Sequence, residues 1–81
     1  MTLYQFKLLD TMEQAQAVWD EGVHLATRNI PGVTILLWQV DGFYVEVFYD
    51  IVEGEIIKIR SFHSTYGLEP YLKQIDLTQL L

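Results

Sequence analysis

The stretch VTILLWQV-DG-FYVEVFYDI-VEG-EIIKIRSFH, running from Val33 to His63, decides the fold. Asp41-Gly42 sits between two runs of alternating hydrophobic residues, the strongest short hairpin signal a sequence offers, and it predicts Val40 opposite Phe43, Trp38 opposite Val45 and Leu36 opposite Val47. For the second turn the pleat chooses between two loop lengths. Glu53-Gly54 alone would put Ile57 and Ile59 on the opposite face from Val45, Val47 and Tyr49, splitting the core. A loop of Val52-Glu53-Gly54, with Gly54 left-handed in a bulge, instead pairs Ile51 with Glu55, Tyr49 with Ile57 and Val47 with Ile59. That register also sets Glu46 opposite Arg60, Phe48 opposite Lys58 and Tyr44 opposite Phe62, each a favourable cross-strand pair.

Two unequal faces follow. One carries Leu36, Trp38, Val40, Val45, Val47, Tyr49, Ile57 and Ile59 and is the predicted core face. The other carries Val33, Ile35, Leu37, Tyr44, Phe48, Ile56 and Phe62 around the Glu46–Arg60 pair, and is too apolar to be left wet. The candidate interface on it is Ile35, Leu37, Tyr44, Glu46, Phe48, Arg60 and Phe62. Two covers suit it: the leucine-rich C-terminal segment, or another copy of the chain or a partner protein.

Outward from the sheet, Tyr4, Phe6 and Leu8 alternate with Gln5 and Lys7, which predicts a strand over Leu3 to Leu9. Asp10 with Glu13, or Thr11 with Gln14, offers a capping box. Beyond it Met12, Ala15, Trp19, Val23, Ala26 and Ile30 recur at steps of three and four, the spacing of one long amphipathic helix that Pro31-Gly32 ends. Gly22 falls inside that helix on its apolar side, at a cost of about 1 kcal/mol in propensity, and close approach to the sheet explains it. After a loop over 64–67, Pro70 suits the first turn of a short helix bearing Tyr71, Leu72 and Ile75, and Asp76 with Gln79 caps a final turn. The expectation is a single small two-layer α+β domain of order β-α-β-β-β-α. In it an antiparallel three-stranded meander and an N-terminal strand pack against one long helix.

Composition bounds the role. A chain of 81 residues hides only about 60 to 65% of its unfolded surface, yet 51% of the residues are hydrophobic and 14% aromatic, which leaves apolar surface for a partner. Its formal charge of −6 repels phosphate backbones and anionic lipid headgroups, so nucleic acid and membrane surfaces are not expected partners. No signal peptide is expected, and the longest apolar block, Ile35 to Trp38, is too short to span a bilayer. Cysteine is absent, which removes disulfide and thiolate chemistry, and cytoplasm is the default location.

Reactive constellations are scarce. His63 ends a strand near Ser61, Ser64 and Thr65, and Tyr44 or Glu46 could be imagined beside it. No base–nucleophile pair is positioned by the register, so the reading leans away from an enzyme. His24 falls on the polar side of the predicted helix. Asp41, Asp50, Glu53 and Glu55 cluster at turns without calcium-loop spacing, and Gly22, Gly32, Gly42, Gly54 and Gly67 are too dispersed to cradle a phosphate, so no metal or cofactor is implied. Trp19 and Trp38 read as core. The expected role is a protein–protein interaction or adaptor module, self-associating as a homo-oligomer through the outer sheet face or a strand edge. The alternatives are an acidic inhibitor or immunity-type protein that binds a basic partner, and a small enzyme or ligand-binding domain.

Overall fold

The computed structural model describes residues 1–63 and 69–72. Its elements are α1 (Leu3–Lys7), α2 (Thr11–Glu21), β1 (Val23–Ile30), β2 (Val33–Val40), β3 (Phe43–Asp50), β4 (Ile56–Phe62) and α3 (Glu69–Leu72). The α+β class stands, while the element order does not: two short helices precede a four-stranded antiparallel sheet of order β1-β2-β3-β4. The loop read over 64–67 and the final turn read over 76–79 lie outside the described residues.

The predicted N-terminal strand is helix α1, because Thr2 and Gln5 form a complete capping box. Thr2 Oγ1 accepts from the Gln5 amide at 3.1 Å, and Gln5 Oε1 accepts from the Thr2 amide at 2.9 Å. Asp10 and Glu13 do the same for α2, at 2.8 and 3.0 Å. The predicted long helix stops at Glu21. Gly22 is extended (φ −84°, ψ 154°) while its N–H still bonds Val18 O at 2.8 Å, and a Cβ there would stand 3.2 Å from Trp38 Cε3. The close approach to the sheet is real, and it is made at a helix end.

Residues 23–30 form a strand instead. Val23, Thr27 and Ile30 favour the extended form, and Pro31-Gly32 closes a two-residue hairpin that sets Ile30 opposite Val33, with Gly32 at φ 79°. The second hairpin matches expectation residue for residue: Val40 lies opposite Phe43, Trp38 opposite Val45 and Leu36 opposite Val47. Here Asp41 takes the left-handed conformation, at φ 49°. In the third, Val47 meets Ile59, Glu46 meets Arg60, Phe48 meets Lys58 and Tyr44 meets Phe62 as expected, but a bulge pairs Tyr49 with Ile56 rather than Ile57. Gly54 is left-handed at φ 70°, and Asp50 Oδ1 accepts from the amides of Val52 and Glu53. The Asp50 amide bonds Glu55 O at 2.8 Å, in place of an Ile51–Glu55 pair. Ile56 therefore packs on the core face, and Ile57 is exposed.

The core lies between the first two helices and one face of the sheet. Phe6, Val18, Val40, Phe43, Val45 and Val47 are buried there, with Trp38, Tyr49, Ile56 and Ile59 packed around them and the Phe6 and Phe43 rings 5.3 Å apart. Gln14 Nε2 donates to Phe6 O and ties α2 to α1. Trp19, expected in the core, is half exposed.

Candidate interaction surfaces

Strand register lays the outer face out in rows. Arg28, Ile35, Phe48 and Lys58 form one, and Ala26, Leu37, Glu46 and Arg60 the next. Ala26 is small, and Arg28 reaches from the adjoining row to Glu46. The carboxylate is 2% exposed and fully engaged: Oε2 accepts from Arg28 Nη2 at 3.2 Å and from the Tyr71 hydroxyl at 2.8 Å, and Oε1 accepts from Arg60 Nε at 3.3 Å. Arg28 stands 5.4 Å from the Tyr71 ring centroid, Arg60 4.4 Å from that of Phe62, and Lys58 5.4 Å from that of Phe48.

Burial, followed by donation to Glu46, pushes the Tyr71 hydroxyl up to about 12, with Arg28 pulling the other way. Burial opposes the charge on Arg28, yet its contacts with Tyr71 and Glu46 prevail and raise its pKa. Among the described residues three donors meet Glu46, so the cluster is a clamp holding α3 to the sheet.

Of the candidate interface, Ile35, Leu37 and Glu46 are thus buried within the single chain, and Tyr44, Phe48, Arg60 and Phe62 are half buried. Helical periodicity over Met12 to Ile30 puts Arg28 on the polar side with His24, whereas in strand β1 it reaches Glu46. Tyr71 was legible only as part of a short helix after Pro70, and no local signal pairs it with Glu46.

The two strands at the sheet margins are guarded unequally. β4 carries Lys58 and Arg60 and the bulge near Ile57. β1, VHLATRNI, has no Lys, Asp, Glu or Pro, its single Arg28 is committed to Glu46, and Val23, Leu25 and Ile30 are exposed. A bulge near Leu25 interrupts its first residues, leaving Ala26 to Ile30 in regular register. Among the described residues no strand pairs with the open edge of β1.

On the helical side, Thr11, Met12, Ala15, Gln16 and Trp19 of α2 and Ile56 of β4 line an open groove of about 300 Å³. The other expected chemistry is dispersed. His63 is exposed at the end of β4, and His24 packs edge-on to Trp38 with ring centroids 5.3 Å apart. Asp41 pairs with the N-terminal amine, Asp50 caps its turn, and Glu53 and Glu55 are exposed. Among the described residues no three His, Asp or Glu side chains gather as metal ligands, and no helix is long and apolar enough to cross a membrane.

Compared with known proteins, the chain matches no family model, no curated protein and no solved structure.

Proposed function

We propose that this protein is an interaction module that associates with a second copy of itself by strand addition at the open edge of β1. The observation that carries this reading is the unguarded edge. Natural sheets blunt their margins with charge, proline or bulges, because unpaired amides and carbonyls template another strand. β4 follows that practice with two cations and a bulge, whereas β1, bulged only near Leu25, keeps a regular run from Ala26 to the exposed Ile30, with exposed Val23 and Leu25 ahead of it. Antiparallel pairing of two β1 edges is self-complementary, as a two-fold dimer requires, and would join the sheets into one. The half-buried Tyr44, Phe48 and Phe62 lie nearer the far side of the sheet and are less suited to the same contact.

Light scattering on size-exclusion fractions tests it. The wild-type chain is expected at twice the monomer mass, Leu25→Lys and Thr27→Lys at the monomer mass, and the β4 control Ile57→Lys at the wild-type mass, all with unchanged circular dichroism. A wild-type monomer at millimolar concentration would sink the proposal.

A further inference from the structure

We propose that the exposed face of α2 is a docking surface for a short basic amphipathic helix of another protein. It is independent of self-association, since α2 packs on the inner face of the sheet and the open edge belongs to β1.

Met12 and Trp19 project from α2 two turns apart, on one side of the helix. They are 83% and 52% exposed, on a chain whose core closes without them. Between them Ala15 leaves a low floor, and Ile56 closes the side of the groove. Exposed tryptophan and methionine beside a concavity are the residue types that anchor protein contacts: tryptophan through its buried area, methionine through its adaptable shape. Gln16 lines this groove and also its neighbour, which is lined further by Met1, Leu9, Glu13, Ala17, Asp20 and Glu21, the Met1 amine itself pairing with Asp41. One strip of α2 therefore presents an apolar notch on one flank and, on the other, three carboxylates that remain net acidic although Glu13 accepts from the Asp10 amide, Asp20 accepts from Gln16 Nε2 and the Met1 amine stands in the same groove.

Charge complementarity selects the occupant. α2 has no basic residue, and Asp20 and Glu21 occupy its last turn, where the helix dipole disfavours carboxylates. Their placement works against helix stability. Arg28, Arg60 and Lys58 are meanwhile engaged on the opposite face of the sheet. The strip thus calls for apolar anchors toward Met12 and Trp19 and lysine or arginine toward Asp20 and Glu21, the two faces of a basic amphipathic helix of about two to three turns.

The probe is a fluorescent synthetic leucine–lysine peptide patterned as an amphipathic helix, with a scrambled peptide of equal composition as control. Fluorescence anisotropy is expected to show saturable binding, weakened about tenfold or more by Met12→Ala or Trp19→Ala. The doubly neutralised Asp20→Asn, Glu21→Gln chain should bind more weakly and with a shallower salt dependence. The scrambled peptide should bind at least about tenfold more weakly than the patterned one. Leu25→Lys, which removes the self-pairing edge, should leave binding unchanged, so the two readings fail separately. No binding at millimolar peptide, equal binding of the scrambled control, or indifference to the Met12 and Trp19 replacements overturns the proposal. Both side chains are exposed, and circular dichroism of each variant verifies that the fold is retained.

Discussion

The Tyr71 hydroxyl donates to Glu46 Oε2 at 2.8 Å across 25 residues of sequence, fastening a four-residue helix to the third strand. A hydrogen bond to a charged acceptor contributes about 1.5 to 3 kcal/mol. Tyr71→Phe is therefore expected to lower stability by about 1.5 to 3 kcal/mol. Glu46→Gln removes the counter-charge of both arginines and should cost more, about 2 to 4 kcal/mol, short of the fully buried case because Arg28 and Arg60 retain access to water. Urea midpoints of the three chains give the order, and a Tyr71→Phe midpoint equal to wild type would contradict the clamp.

Alkaline pH should release the same contact. The folded-state pKa of Tyr71 is raised from an ordinary 10.0 to about 12, so the stability supplied by the neutral phenol is complete below pH 10 and is lost as pH climbs through the folded value. Ultraviolet titration should show one tyrosine ionising late, absent from Tyr71→Phe. Wild type should also lose more stability than that variant between these two pH values.

Gly22→Ala is expected to destabilise by about 1 to 3 kcal/mol, although alanine is the better helix former. The added methyl group would press on the Val18 carbonyl oxygen and lie 3.2 Å from Trp38 Cε3. A thermal melt followed by tryptophan fluorescence reads both the loss and the displaced indole; an unchanged melt would show that the contact yields without cost.

The turn glycines should respond differently to alanine. Gly54 is left-handed at φ 70°, so Gly54→Ala should cost about 1 kcal/mol. At the Asp41-Gly42 turn the left-handed residue is Asp41, and a Cβ on Gly42 would meet no atom within 4 Å. Gly42→Ala should therefore stay within about 0.5 kcal/mol of wild type. Chemical denaturation of the pair decides it, and equal losses would refute the distinction.

The sheet from Val33 onward was legible because turn chemistry and pleat act locally and agree: Asp41-Gly42 and Gly54 fix the hairpins, and only the bulge at Ile56 and Ile57 escaped. The N-terminal third was not, because its patterns fit two structures. Tyr4, Phe6 and Leu8 alternate like a strand, yet Thr2 and Gln5 cap a helix, a T-x-x-Q signature present in the sequence. Met12 through Ile30 keeps a helical period across Gly22, but residues beyond it gain a full ladder of hydrogen bonds with β2, which outweighs the helical pattern. The Glu46–Arg60 pair was visible from register alone. Its partners Arg28 and Tyr71 were not, because strand β1 and helix α3 bring them there.

A sheet whose spatial order repeats its chain order has a kinetic consequence. Among the described residues every strand of this meander pairs only with its sequence neighbours, through tight turns, so no large loop must close before a hairpin gains its hydrogen bonds. The slow closures are those that bring Phe6 to Phe43 and Tyr71 to Glu46, from opposite ends of the chain onto opposite sides of the sheet. Assembly should run outward from the central hairpin, with both coverings arriving late. Until they arrive, β3 bares its valines on one side and Glu46 on the other.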